Sequence, residues 1–322
     1  MSTPPNKPAV SPADSPKPVE PMPAPAPATA PKVIDLPAGK EFDDAWAAKL
    51  QAARLVRLIV VAGPPGAGKT TLVTGLYELF QKKPVGKIAF AGSGTLPAFE
   101  RRCHISRTAS ERSVPDTERT PYGEVRYLHL RVVAEDLRHN PLDLLFTDVS
   151  GESFERARDS ISECQQLGFL KMADHFLLLM DCEKLIDRVK RWDAANDSMA
   201  LLQSCLDSGM LGNNCFVNVL WTKYDLVEAV GDGTHDTFFQ KISDEFKKKF
   251  EARVGRLTFT KVAARPMGVD SLEFGYGIPE LLKEWSNDSP RDRAMNLIPE
   301  DTAGSRESEK FLTRHLNKVR ET

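Results

Sequence analysis

Leu58-Ile59-Val60-Val61-Ala62-Gly63-Pro64-Pro65-Gly66-Ala67-Gly68-Lys69-Thr70-Thr71, residues 58–71, decides the fold. Gly63, Gly68, Lys69 and Thr70 satisfy the phosphate-loop (Walker A) pattern: a glycine, four free positions, then Gly-Lys-Ser/Thr. The motif requires a strand before it and a helix after it. Leu58–Val61 is an apolar run suited to a buried strand, and Thr70–Phe80 can form the helix. Glycines let the chain curl so that successive N–H groups point inward at phosphate oxygens, and the helix N-terminus adds a favourable dipole. Gly63, Gly66, Ala67, Gly68, Lys69, Thr70 and Thr71 are therefore the candidate phosphate contacts. Lys69 is expected to bridge the terminal phosphates, and the Thr70 hydroxyl to ligate Mg²⁺.

Composition bounds the rest. The first 40 of the 322 residues hold twelve of the 23 prolines and no aromatic residue. Such a segment buries too little apolar surface to offset its ordering entropy, so residues 1–40 are expected to be a disordered arm. No apolar run reaches the roughly 18–20 residues that span a bilayer. A net charge of −2 gives no basic field for nucleic acid. Lys247-Lys248-Lys249, between Phe246 and Phe250, is expected to be a solvated helix face. Five cysteines without a Cys-x-x-Cys pair fit reduced thiols in a cytoplasmic protein.

Outward from the phosphate loop, apolar strands alternate with helical stretches. The expected strands are 87–91, Tyr127 to Val133, Leu144–Thr147, His175–Met180, Phe216–Trp221 and Leu257–Val262. The expected helices are 41–57, 96–102, a stretch through about 206, Thr237–Val254 and Ile278–Trp285. Tyr127, His129, Arg131 and Val133 alternate with apolar neighbours, which predicts a strand with one solvent-facing side. Residues 103–125 are expected to form a long polar loop. The fold class is therefore α/β, a three-layer phosphate-loop domain whose mostly parallel sheet has helices on both faces. It is expected over 41–285, with a linker and a short amphipathic helix over 286–322.

Two further motifs sit at strand ends. Asp148-Val149-Ser150-Gly151 closes an apolar strand, where the Asp148 carboxylate can hold Mg²⁺ and the Gly151 N–H can reach a γ-phosphate. Thr222-Lys223-Tyr224-Asp225 points to the base: a carboxylate only accepts hydrogen bonds, and guanine offers N1–H and N2–H₂ side by side. The aliphatic stem of Lys223 is expected to pack on the purine. Ala263 and Ala264, in Val262-Ala263-Ala264-Arg265, stand where a backbone N–H would contact guanine O6. The expected ligands are GTP/GDP and Mg²⁺.

The motif order resembles a translation-factor-related G domain of the Ras-like kind. Phe90-Ala91-Gly92-Ser93-x-Thr95-Leu96, Phe99-Glu100, Phe146 through Glu152, and Thr222 through Asp225 resemble more narrowly the bacterial double-GTPase family of the second type. That resemblance implies a GTPase paired with a second GTPase encoded nearby, in bacterial conflict or defence gene clusters. Two positions depart from the Ras-like pattern. Glu152 stands where a glutamine orients the attacking water, and it places negative charge near the γ-phosphate, so hydrolysis through it is expected to be slow; structural pairing of Glu152 is the alternative. The switch threonine is taken as Thr120, with Thr117 and Thr108 as alternatives. Arg107, Arg112 and Arg119 share that stretch, either as a solvated basic loop or as a source of an arginine in cis. Lys69, Thr120 and Glu152 are thus the candidate catalytic residues of a GTP-binding switch. A scaffold that binds GTP without turnover and an ATP-dependent phosphate-loop enzyme are the rival readings.

Overall fold

The computed structural model describes residues 39–110, 123–134, 141–231, 233–267 and 272–287. All but the end of the expected arm, and nearly all of the linker and terminal helix, lie outside them, as do Thr117 and Thr120.

Seven strands form one sheet in the order β2-β3-β4-β1-β5-β6-β7. They are β1 (Val56–Ala62), β2 (Ile88–Gly92), β3 (Arg126–Ala134), β4 (Leu142–Asp148), β5 (His175–Asp181), β6 (Phe216–Thr222) and β7 (Arg256–Val262). The pairs β4–β1, β1–β5, β5–β6 and β6–β7 are parallel, and β3 alone runs against its neighbours. The carboxyl ends of β4, β1, β5, β6 and β7 therefore share one edge of the sheet, where α/β proteins place their ligands.

Ten α-helices are described: α1 (Asp44–Ala53), α2 (Lys69–Lys82), α3 (Leu96–Ser110), α4 (Gly151–Asp159), α5 (Ile161–Gln166), α6 (Cys182–Leu185), α7 (Arg191–Asp207), α8 (Asp225–Val230), α9 (Thr234–Phe250) and α10 (Ile278–Asn287). The central strand shows why they divide into two layers. Leu58, Val60 and Ala62 join a core with residues of α1, α4, α7 and α9. Ile59 and Val61 point the other way, into a core with α2, α3 and α10. Alternation along a pleated strand sends successive side chains to opposite faces, so a strand buried on both sides is apolar at nearly every position, and in β1 the one charged residue is Arg57, next to its start.

Three expectations need correction. First, α3 does not stop at Arg102 but continues to Ser110. No proline or glycine interrupts residues 98–114, and Cys103 is fully buried against α2, so nothing ends the helix at the expected point. The 103–125 stretch is thus helical over its first third. Second, Tyr127 and His129 do not face solvent; they are 1% and 2% exposed. The chain ahead of α1 covers them. Phe42 exchanges backbone bonds with Tyr127 at 3.0 and 2.9 Å and stacks on the His129 ring at 5.6 Å. The Tyr127 hydroxyl donates to Asp44 at 2.6 Å, and His129 Nε2 lies 2.9 Å from buried Asp143. Third, the stretch after β5 is not one helix but α6 followed by α7. Lys247, Lys248 and Lys249 are exposed between buried Phe246 and Phe250, as expected.

Trp285 of α10 closes the second core, with its ring edge-on to Phe146 of β4 at 5.4 Å and 1% of its surface exposed. Trp285→Ala should cost about 3–5 kcal/mol in denaturant unfolding, because the cavity cannot refill. Lys248→Ala should stay within about 0.5 kcal/mol of the parent.

Candidate functional site

The loop between β1 and α2 has the backbone that its glycines allow. Gly66 and Gly68 have φ of +77° and +89°, a region L side chains rarely adopt. A side chain at either would meet nothing within 4 Å, so conformation rather than space demands glycine there. Lys69 folds back across the loop, and its Nζ donates to the carbonyls of Gly63 at 2.9 Å and Pro64 at 3.1 Å. Burial pulls its pKa down to about 8, against the charges of Glu152, Asp148 and Glu155, which act to raise it. The ammonium is held but under-compensated, and a polyanion at the loop would relieve that. Ala67 is buried, whereas Thr70 and Thr71, at the start of α2, are partly exposed. Beneath the loop, Thr147 Oγ1 accepts from the Val61 N–H at 3.0 Å and ties β4 to β1.

Gly151 marks the closest approach of two motifs. A Cβ there would fall 2.3 Å from the Pro65 nitrogen, so α4 starts against the phosphate loop and only glycine fits. Residues 151–159 are helical, with Ser150 as N-cap accepting from the Ser153 N–H at 3.3 Å. Glu152 consequently sits in the first turn of α4, half-buried, its charge felt at Lys69. Beside the loop, α4 and α7 leave a cavity of about 230 Å³ that includes Pro64, Phe154, Leu178 and Leu201 in its lining.

Asp148 ends β4 and is 6% exposed. Its Oδ2 accepts from Arg102 Nη2, while Arg102 Nη1 donates to Glu41 and, at 3.3 Å, to the Ala98 carbonyl. Burial acts to lower the Arg102 pKa, but Asp148 and Glu41 outweigh it and hold the guanidinium above its ordinary value. Burial acts to raise the Glu41 pKa, and Arg102 outweighs it and holds the carboxyl below its usual range. Sequence reasoning missed this arginine. Its signal was available: Arg102 shares the face of α3 that carries fully buried Ala98, Phe99 and Cys103. A charge on such a face needs a partner.

The third motif lies two strands away. Thr222 Oγ1 donates to the Met180 carbonyl at 3.1 Å and fixes the end of β6 to β5. Lys223 has φ +55°, the one positive value of a non-glycine among the described residues. That turn sends its Nζ to Asp181 at 2.9 Å and Glu183 at 2.7 Å. Burial acts to lower the Lys223 pKa, and these two carboxylates outweigh it and raise it. Asp225 opens α8 at 7% exposure, and its Oδ2 accepts from the Met267 N–H at 3.0 Å, which draws in the loop after β7. On that loop the Ala263 N–H donates to the Tyr276 carbonyl at 3.0 Å and is committed there. Arg265 pairs with Glu78 of α2 at 2.7 Å. Asp181, Glu183 and Met267 are further residues that the motifs did not disclose. Of the alternative switch threonines, Thr108 is carried on α3.

The donor set suits Mg²⁺. Thr70 and Asp148 offer hard oxygens, and among the described residues no group of three or more His, Cys, Asp or Glu could hold a metal ion. A cation that takes its remaining ligands from phosphate and water fits that arrangement. The open glycine cradle and the under-compensated Lys69 fit the phosphates.

Residues 57–286 match the model of the double-GTPase 2 family. No curated protein matches the chain. Among solved structures it is similar to the cytosolic domain of the T. maritima FeoB iron transporter in apo form, at 16% identity and TM-score 0.35, over 73% of this chain and 65% of that one. It is also similar to the signal recognition particle receptor SRb-GTP/SRX complex from Chaetomium thermophilum, at 16% identity and TM-score 0.39, over 66% and 92%. The S. cerevisiae Ski7 GTPase-like domain bound to GDP and inorganic phosphate is matched at 14% identity and TM-score 0.41, over 77% and 53%. The chain thus spans just under two thirds of the FeoB domain and about half of the Ski7 domain.

The lysine generates a pH prediction. An anionic ligand favours charged Lys69 and raises its pKa above the free value of about 8. Between the free and bound values the complex holds more protons than the free protein, so affinity falls as pH rises through that window. Calorimetry of GTP binding in buffers of different ionisation enthalpy should show little proton uptake near pH 7 and a fraction of a proton at about pH 9. Lys69→Ala should remove that uptake and weaken binding by about a hundredfold or more.

Proposed function

The chain belongs to the double-GTPase 2 family, and we propose that it is a GTP-binding switch that hydrolyses GTP slowly in a Mg²⁺-dependent reaction. The observation that carries this reading is one of order along a sheet edge. Gly63–Thr70, Asp148–Gly151 and Thr222–Asp225 leave the carboxyl ends of β1, β4 and β6, strands that run parallel in one sheet. Lys69 faces the β- and γ-phosphates, Thr70 and Asp148 hold Mg²⁺, and the Gly151 N–H meets the γ-phosphate. Bound Mg²⁺ supplies neutralisation of phosphate charge. Asp225 accepts from guanine, and the Ala264 N–H approaches O6, because that of Ala263 is committed to Tyr276. The stem of Lys223 packs on the purine, its head anchored by Asp181 and Glu183.

Slow turnover follows from Glu152, whose carboxylate orients water but repels the γ-phosphate. A scaffold that binds GTP without turnover is favoured by the same residue. Thr120 remains the proposed switch threonine. The resemblance in motifs supports a second GTPase as partner and a role in bacterial conflict or defence. Five buried cysteine thiols among the described residues support a reducing cytoplasm. None of the described helices is long and apolar enough to cross a membrane.

Titration of GTP, XTP and ATP tests the base. The parent should prefer GTP over ATP by roughly 10⁴ or more, and Asp225→Asn should shift the preference towards XTP. A parent that prefers ATP would make it the ATP-dependent enzyme instead. Single-turnover phosphate release separates switch from scaffold. Glu152→Gln removes a like charge beside the γ-phosphate and should speed release by about tenfold, since such repulsion is worth about 1 kcal/mol or more at 4 Å.

A further inference from the structure

We propose that Arg102 is a built-in counter-cation for the metal-site carboxylate, which it must surrender when Mg²⁺ enters with the nucleotide. The proposal rests on the reading of Asp148 as the residue that holds Mg²⁺. It adds a competitor drawn from the chain itself.

Three observations carry it. The Arg102 guanidinium contacts Asp148 and Glu41 together, with side-chain exposures of 11%, 7% and 16% for Arg102, Asp148 and Glu41. A carboxylate so enclosed would be costly without a cation beside it, so the pair is held strongly while no metal is present. Moreover, Arg102 engages the Oδ2 of Asp148, so a divalent ion at either carboxylate oxygen meets the repulsion of the guanidinium, and Oδ2 itself opens only when the guanidinium moves away. Finally, the release is cheap on the other side. Glu41 keeps Arg102 as a partner, and Arg101 Nη2 lies 4.0 Å from the same carboxylate oxygen. Arg102 therefore has a resting place on Glu41 when Asp148 turns to the metal. Arg102 is a positioning residue here. It sets the Mg²⁺ concentration at which the site fills, and it links that filling to α3 and to the chain ahead of α1.

The test is a Mg²⁺ titration of fluorescent GTP-analogue binding to the full chain, with the parent, Arg102→Gln, Arg102→Lys and Asp148→Asn compared. Arg102→Gln should lower the half-saturating Mg²⁺ by about tenfold or more, the usual worth of a charge-assisted bond. Arg102→Lys, which keeps the charge and loses the fork, should fall between it and the parent. Binding in EDTA should not strengthen in either variant. An unchanged or raised Mg²⁺ half-point in a folded Arg102→Gln protein overturns the proposal. So does a slower single-turnover rate at an unchanged half-point, which would mean that the arginine serves the phosphate. If Arg102→Gln does not fold, the parent decides by hydrogen exchange. Residues 96–104 should exchange faster with Mg²⁺ and GTP than with GTP in EDTA, and equal exchange overturns the proposal. Failure of the underlying reading looks different: parent binding would ignore Mg²⁺, or Asp148→Asn would leave the half-point where it was.

Discussion

β1 is buried along its whole length, from Val56 to Ala62, and the remaining architecture answers that constraint. A strand hydrogen-bonded on both edges and covered on both faces must find apolar neighbours in two layers at once. β4 and β5 supply the edges, α2, α3 and α10 one cover, and α1, α4, α7 and α9 the other. Because β4, β5, β6 and β7 are parallel to β1, every loop at their carboxyl ends opens on the same side. The site is thus a consequence of how the core is closed. The three motifs are far apart in the chain and meet at that edge because parallel strands bring them there.

The edge is also where charge accumulates, and its balance differs from place to place. At Lys69 burial wins, and three nearby carboxylates do not fully offset it. At Lys223 and Arg102 the local carboxylates win over burial. The loop lysine is accordingly the group with most to gain from an incoming polyanion. The other two cations are already satisfied and serve as struts, Lys223 between β5 and β6 and Arg102 between α3 and β4. Gly151 places the head of α4 against Pro65, so Glu152, the next residue, stands beside the phosphate loop.

Much of this was legible in the sequence, and for identifiable reasons. The phosphate loop could be read because glycine spacing, lysine and the flanking strand and helix are local requirements that only a few residue types meet. Asp148 and Asp225 could be placed at strand ends because apolar runs precede them directly. The length of α3 is not legible from composition, because polar residues 103–110 read like a loop although no proline or glycine lies between Pro97 and Pro115. The burial of Tyr127 and His129 is not legible either, because alternation reports two faces of a strand without saying what covers each.

The sequence by itself determined the phosphate-loop class, the α/β alternation, the identity of the three motifs and the two-sided burial of β1. All of these are written in spacings of a few residues, where local backbone geometry dictates side-chain type. Only the tertiary structure decided that Phe42 and α1 close over β3, that Lys223 is anchored by Asp181 and Glu183, that Ala263 spends its N–H on Tyr276, and that Arg102 rests on Asp148 and Glu41. Each joins residues 13 to 85 positions apart in the chain. A contact of that kind is selected by the packing of whole layers and the pairing of buried charge, and no short window of sequence records which partner a buried arginine will meet.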